Sequence, residues 1–239
     1  MWRVPLEEAV KDDCAQCEFR AGRVCSLWLG ESDCLGKPID RLVLKVKARQ
    51  TFARSRTPGR PVVVVRSGWA ATVHMLPDGR RQILSVVLPG ETLTCAGLLD
   101  EEMTISAVAL SDLECCVIEA DLSVTADGRC RNLQDIFAQL CRDEFQQMRR
   151  RLVDLGRRTS EERIASFILD IMRRQEALGA AKDGRFPFLI RQQDLADALG
   201  LTQVHASRVM SNMRRAGLIE FSRNEMAVLD ADALNLILS

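Results

Sequence analysis

The chain lacks net charge, because 33 Lys and Arg residues balance 33 Asp and Glu residues. A protein that coats nucleic acid without regard to sequence needs a broad positive field, so the balance argues against that class. The C-terminal part from Arg157 onward is also nearly balanced. Any affinity for DNA must therefore come from the local placement of cations, as in a protein that reads a particular site.

Long apolar runs are also missing. None approaches the roughly 20 residues that a membrane-spanning helix needs. The first residues, MWRVPLEEAVKDDC, do not have the charged-then-apolar order of a secretory signal. We expect no membrane association and a cytoplasmic location. The length of 239 residues, 47% of them hydrophobic, suits two modest domains that each have a core.

Features of common enzyme classes are scarce. The sequence has only two histidines, His74 and His205, which are far apart in the chain. It has no glycine-rich loop for phosphate and no Ser/His/Asp order typical of nucleophilic hydrolases. We therefore expect that the protein is not an enzyme.

Cysteine is abundant, with nine residues. An odd number in a reducing compartment argues against a disulfide framework. Cys14 and Cys17 form a C-x2-C pair and Cys25 follows after seven residues, a spacing that lets several thiolates reach one metal centre. Cys34 is a further candidate ligand. The spacing alone leaves open zinc held by four local thiolates, an iron–sulfur cluster with a ligand from elsewhere, and a redox thiol pair.

Residues 39–131 read as short strands separated by turn signals, which predicts an antiparallel β domain of the roll or jelly-roll type. The predicted strands cover residues 62–65, 70–75, 81–88, 104–110 and 113–118. Cys115 and Cys116 are neighbours in the last of these strands. Successive side chains of a strand face opposite sides, so these two thiols cannot readily share one site.

Residues 132–158 predict one long helix, because their apolar residues recur at alternating spacings of four and three. The neighbouring positions are charged. A second apolar patch, Ile136, Phe137 and Leu140, could pack against the β domain, and a seam with such a second patch favours pairing of this helix with a second copy. A homodimer also suits DNA, since paired half-sites require two-fold symmetry. The predicted dimer interface consists of Cys141, Phe145, Met148, Leu152 and Leu155.

Residues 191–217 predict two short helices around a tight turn, an arrangement that also occurs in ordinary helical domains. Gly200 ends the first helix in the left-handed conformation that glycine adopts easily. The strands expected at 218–221 and 226–229 form the hairpin, or wing, of a winged helix. We predict that the second helix enters the major groove of DNA. Its candidate DNA-binding residues are Thr202, Gln203, Val204, His205, Ser207, Arg208 and Asn212.

The order of these parts resembles the CRP/FNR family of transcription regulators. The segment LGRRTSEERIASFILDIMRR is similar to the start of that family's DNA-binding domain, and LADALGLTQVHASRVMSNMRRAGLI to its helix-turn-helix. CAQCEFRAGRVC is similar to the cluster-binding arm of the oxygen-sensing, FNR-like branch. The resemblance implies an α+β protein with a cysteine arm (1–38), a cyclic-nucleotide-binding-like antiparallel β-roll (39–131), a dimerisation helix (132–158) and a C-terminal winged helix-turn-helix (159–239).

For the cysteines, the resemblance implies a [4Fe-4S] cluster on Cys14, Cys17, Cys25 and Cys116. Cys116 falls at the family's fourth ligand position, and Cys115 lies one residue away. The implied function is a transcription regulator whose dimerisation and promoter binding depend on an oxygen-labile cluster. Its implied partners are a palindromic site in double-stranded DNA and RNA polymerase. Zinc, haem or thiol oxidation as the input to the same scaffold are the alternatives.

Two positions depart from the family pattern. Cyclic-nucleotide binders of the family have an arginine directly before the Ser-Ala of the phosphate cradle, whereas Ile105 precedes Ser106 here. A phosphate would have no guanidinium partner, so we expect no cyclic nucleotide. The recognition helix has Val204 where the family often has glutamate, and valine offers a base only apolar contact. Arg208 can still pair with guanine.

Overall fold

A computed structural model describes residues 17, 25, 41–54, 62–93, 106–118 and 131–238. The chain forms two compact units. The first comprises Met1–Pro77 and Leu84–Gln147, and the second comprises Asp78–Ile83 and Met148–Ser239. The predicted limit of the cysteine arm at residue 38 lies outside the described residues.

Antiparallel strands precede the long helix at Arg131–Arg157, as the turn signals predicted. The strands are β1 Arg41–Val46, β2 Thr51–Arg54, β3 Val62–Ser67, β4 Ala70–Met75, β5 Arg81–Val87, β6 Ser106–Ala109 and β7 Leu113–Ile118. Strands β1, β7 and β3 form one sheet in that order, and strands β2, β6, β4 and β5 form a second. The expectation of an antiparallel β-roll is confirmed, and β1 and β2 were not among the predicted strands.

Small and branched side chains make up most of the core of the roll, which also buries Phe52 and Trp69. Val62 to Val65 of β3 are all buried, and Val65 is 0% exposed. Branched residues favour a pleated strand, and burial on both faces explains why this strand does not alternate apolar with polar residues. The turn after β3 requires glycine, because Gly68 has φ +75° and a Cβ there would lie 2.1 Å from the carbonyl oxygen of Asp112.

Five helices follow in the described residues: α1 Arg131–Arg157, α2 Ser160–Ala177, α3 Gln192–Leu199, α4 Gln203–Arg215 and α5 Ala231–Leu236. A capping box starts α2. Thr159 Oγ1 accepts from the Glu162 N–H at 3.3 Å, and a Glu162 carboxylate oxygen accepts from the Thr159 N–H at 2.7 Å. Ile164, Ile168 and Ile171 then face the core of the second unit with 0% exposure.

The wing has three strands, where the sequence predicted two. Strand β10 (Glu225–Val228) lies between β9 (Ile219–Phe221) and β8 (Arg185–Pro187). The sequence did not predict strand β8. Strand β8 has only three residues, it ends in a proline, and it pairs with a strand about forty residues further on, so no local pattern indicates it.

None of the helices in the described part of the chain combines the length and the apolar character needed to cross a bilayer.

Candidate nucleic-acid interface and cysteine positions

The turn between α3 and α4 sets the geometry of the helix-turn-helix. Gly200 ends α3 with φ +64°, the left-handed conformation expected from the sequence. A Cβ at this position would lie 3.3 Å from Leu155 Cδ2. Thr202 caps α4, since its hydroxyl accepts from the backbone N–H of His205 at 3.2 Å. The turn is therefore held both by its backbone conformation and by a side-chain cap.

Apolar residues of both helices form a shared core. Leu195, Ala196 and Leu199 of α3 are buried, and so is one face of α4. Ala196 and Ala206 are both 0% exposed, as expected where two helices cross closely. The buried residues of α4 are Ala206, Val209, Met210 and Met213. Burial of this face leaves the opposite face of α4 available to a partner.

The outward face of α4 carries the predicted DNA-binding residues. Ser207 is half-buried, while the other six are exposed, and Val204 is 71% exposed. Three of them make side-chain hydrogen bonds within the chain, and the first is Thr202, which caps α4. His205 Nε2 lies 2.8 Å from the hydroxyl of Ser160, and Asn212 accepts a hydrogen bond from Arg215. The expected base or phosphate contact of His205 must therefore compete with a contact to α2.

Two arginines, one at the end of α4 and one in the wing, already contact other groups of the chain. The guanidinium of Arg214 lies over the ring of Phe221, with 5.4 Å to the ring centroid. Arg185 of the wing donates to Glu225 at 2.9 Å and to Glu220 at 3.4 Å. The hydrogen bond to Glu225 raises the pKa of Arg185 from its ordinary value. Arg185 is thus already paired with carboxylates, which the sequence did not indicate.

One arginine pairs with two carboxylates on α3 of the same unit. Arg81, in the segment Asp78–Ile83, donates to Asp197 at 2.6 Å and also to Asp194. Asp194 is 9% exposed. Unpaired carboxylates on the first helix of a helix-turn-helix would repel DNA phosphates, so this pairing favours DNA binding. Sequence reasoning missed it because 113 residues separate Arg81 from Asp194.

The cysteines differ in exposure. Cys17, Cys25 and Cys116 are half-buried, while Cys115 is 0% exposed within the core of the roll. The Cys115 thiol lies 3.9 Å from the carbonyl oxygen of Leu44, and burial raises its pKa to about 12. Cys14 lies outside the described residues. Within the described ranges, no three His, Cys, Asp or Glu side chains are grouped as a metal site would require.

The predicted dimer residues lie along α1. Phe145, Met148 and Leu152 are exposed, by 61%, 43% and 73% respectively. Cys141 and Leu155 are half-buried. Leu155 is also the residue closest to the Cβ position of Gly200, so it packs within its own chain.

The turn Pro89–Gly90–Glu91 is stabilised by its own residues. Gly90 has φ +82°, and a Glu91 carboxylate oxygen accepts from the Leu88 N–H at 2.9 Å. Ser106 is half-buried and Ala107 is 1% exposed, while Ile105 lies outside the described residues. The carboxylate of Glu91 thus has a structural role in this turn.

Comparisons with known proteins agree with this architecture. Residues 43–122 match the model of the cyclic nucleotide-binding domain, and residues 162–237 match the Crp-like helix-turn-helix domain. The transcriptional regulatory protein btr of Bordetella pertussis is 30% identical over 99% of this chain and 97% of its own. The nitrogen fixation regulation protein FixK of Bradyrhizobium diazoefficiens is 31% identical over 91% of this chain and 90% of its own.

A solved structure supports the fold. FixK2 from Bradyrhizobium japonicum superposes with a TM-score of 0.72 at 23% identity, over 85% of this chain and 98% of that one. The order of the two domain matches and the identity to btr over nearly the whole length lead to one assignment. The chain belongs to the CRP/FNR family of DNA-binding transcription regulators, whose members are not enzymes.

Proposed function

We propose that an oxygen-labile [4Fe-4S] cluster on Cys14, Cys17, Cys25 and Cys116 controls dimerisation and promoter binding. The observation that carries this proposal is the contrast on β7, where Cys115 is buried in the core and Cys116 is half-buried. A cluster from outside the core can bind only a thiol that it can reach. On β7 this thiol is Cys116, because the core encloses Cys115. No cyclic nucleotide is needed as a signal.

The donor set fits such a group. Thiolates are the soft ligands that iron–sulfur clusters require, and Cys17 and Cys25 share the intermediate exposure of Cys116. When bound, the cluster supplies sensitivity to oxygen, which dismantles it. While the cluster is bound, Cys14, Cys17 and Cys25 connect the cysteine arm through the cluster to Cys116 of strand β7. Loss of this connection would destabilise the dimer.

Dimerisation links the cysteines to DNA in this proposal. The exposed apolar residues Phe145, Met148 and Leu152 of α1 pair with the same residues of a second copy. Two copies of α4 then face successive major grooves of a palindromic site. RNA polymerase is the expected protein partner at the promoter.

The test begins with protein purified without oxygen. We expect a broad visible absorption band, with iron and sulfide in the proportions of one [4Fe-4S] cluster per chain, and bleaching in air. In the matched pair, Cys116→Ser should lose the cluster, while Cys115→Ser should keep it, with lower stability because a polar hydroxyl replaces a buried thiol.

Several outcomes contradict the proposal. A colourless protein that contains stoichiometric zinc would favour the zinc alternative. A full cluster in Cys116→Ser and none in Cys115→Ser would assign the fourth ligand to the other thiol. Anaerobic protein that lacks iron and still binds its DNA site as a dimer would exclude cluster control altogether.

A further inference from the structure

Arg163 lies at the fourth position of α2, and its guanidinium contacts the ends of two other helices. Its Nε donates to the carbonyl oxygen of Arg158 at 2.9 Å, directly after the end of α1. Its Nη1 donates to the carbonyl oxygen of Leu199, the last residue of α3, at 3.1 Å. A single side chain therefore connects the α1–α2 junction with the turn of the helix-turn-helix.

Both carbonyls are groups that a helix leaves without a partner. The last carbonyls of an α-helix have no intrahelical donor, and the partial negative charge there favours a cation. The planar guanidinium has several donors in a fixed geometry, so one arginine can satisfy two carbonyls at once. A lysine has a single nitrogen on a flexible stem and cannot reproduce this fork.

Two further contacts join the same junction to the same turn. Leu155, in the last turn of α1, lies 3.3 Å from the Cβ position of Gly200. Ser160, the first residue of α2, bonds His205 Nε2 of α4 at 2.8 Å. We call Leu155, Ser160 and Arg163 the junction brace. The brace contacts the end of α3, the turn and the start of α4, which together fix the angle between these helices.

We propose that Arg163 is a positioning residue for DNA recognition. The guanidinium donates to protein carbonyls, and it acts on DNA only by fixing where α4 starts. A displacement of the end of α1 then moves the turn and the recognition helix with it. This inference rests on DNA recognition by α4 and does not depend on the cluster.

The test compares two arginines of α2 after the same substitution. Arg163→Met removes both carbonyl contacts. Arg173→Met is the matched control, because the Arg173 side chain, among the described residues, bonds only the Leu169 carbonyl of its own helix, at 3.1 Å. Binding is measured by fluorescence anisotropy on two duplexes of equal length. One is selected by the wild-type protein from a randomised pool, and the other has an unrelated sequence.

We expect Arg163→Met to weaken binding to the selected duplex by about five-fold or more, comparable to the loss of one good base contact. Binding to the unrelated duplex and its salt dependence should not change, because no phosphate contact is removed. Arg173→Met should bind both duplexes as the wild type does. Hydrogen exchange of the amides at 199–202 should be faster in Arg163→Met only.

Three results overturn the proposal. The first is wild-type affinity of Arg163→Met for the selected duplex. The second is an equal loss of affinity for both duplexes, which would indicate a phosphate contact. The third is the same loss of affinity in Arg173→Met. If Arg163→Met does not fold, Arg163→Lys replaces it. Lysine has one nitrogen in place of the two that bond these carbonyls, so full selectivity with wild-type hydrogen exchange in that variant would exclude a positioning role of the guanidinium fork.

Discussion

Helices α1 and α4 are both amphipathic, yet they expose opposite chemistry. Helix α4 buries Ala206, Val209, Met210 and Met213 and turns polar groups outward. Helix α1 leaves large apolar side chains exposed, above all Leu152 at 73%. An apolar stripe on the surface indicates a protein partner, whereas a polar face with arginines at its end suits nucleic acid. The contrast separates the two kinds of partner that the chain needs.

The largest expected effect concerns the apolar stripe of α1. Leu152→Asp places a carboxylate in the proposed dimer interface, where burial of an unpaired charge is costly. We expect the dimer dissociation constant to rise by about a hundred-fold or more. Sedimentation velocity over a concentration series measures it. Gln146→Asp introduces the same charge at an exposed position outside the stripe and should leave the dimer intact. If the two variants had the same dimer dissociation constant, α1 would not be the dimer interface.

A smaller effect is expected on the polar face of α4. Arg208→Ala should cost about 1–3 kcal/mol of binding to the selected duplex and relax specificity at one base position. Arg215→Ala, at the end of the same helix, should weaken binding to all sequences and lower the salt slope by about one. Affinity measurements with single-base variants of the duplex distinguish the two. Unchanged base preference in Arg208→Ala would show that Arg208 contacts no base.

The smallest effect concerns the start of α4. Thr202→Ala removes the cap on the His205 N–H and should lower the free energy of unfolding by about 1 kcal/mol. Thr159→Ala at the start of α2 should cost at least as much. It removes the hydroxyl that accepts from the Glu162 N–H, and it thereby weakens the reciprocal bond that Glu162 accepts from the Thr159 N–H. Urea unfolding monitored by circular dichroism gives both values. Full stability of Thr202→Ala would mean that water replaces the hydroxyl at no cost.

Local patterns predicted most elements of the fold. The valine run of β3, the glycine at position 200 and the Thr159–Glu162 box each reflect interactions within a few residues. The helix-turn-helix and the outward face of α4 follow from the same short-range periodicity. For these elements, spacing and residue type were sufficient to predict the structure.

Contacts between distant residues could not be predicted in this way. Arg81 meets Asp194 and Asp197 across more than a hundred residues, and Arg163 meets Leu199 across thirty-six. His205 bonds Ser160 across forty-five residues, a contact between α4 and α2 that the sequence did not indicate. Each of these contacts depends on how helices and strands pack, and a long flexible side chain has no periodicity that indicates its partner.

The stacking of Arg214 on Phe221 has a consequence for protein engineering. A chimera that exchanges only α4 between two regulators would separate this arginine from its aromatic support, which belongs to β9. The transplanted guanidinium would then sample many rotamers in its new host. A transferable module has to extend from Gln203 through Phe221, so that the side chain arrives together with the ring that orients it.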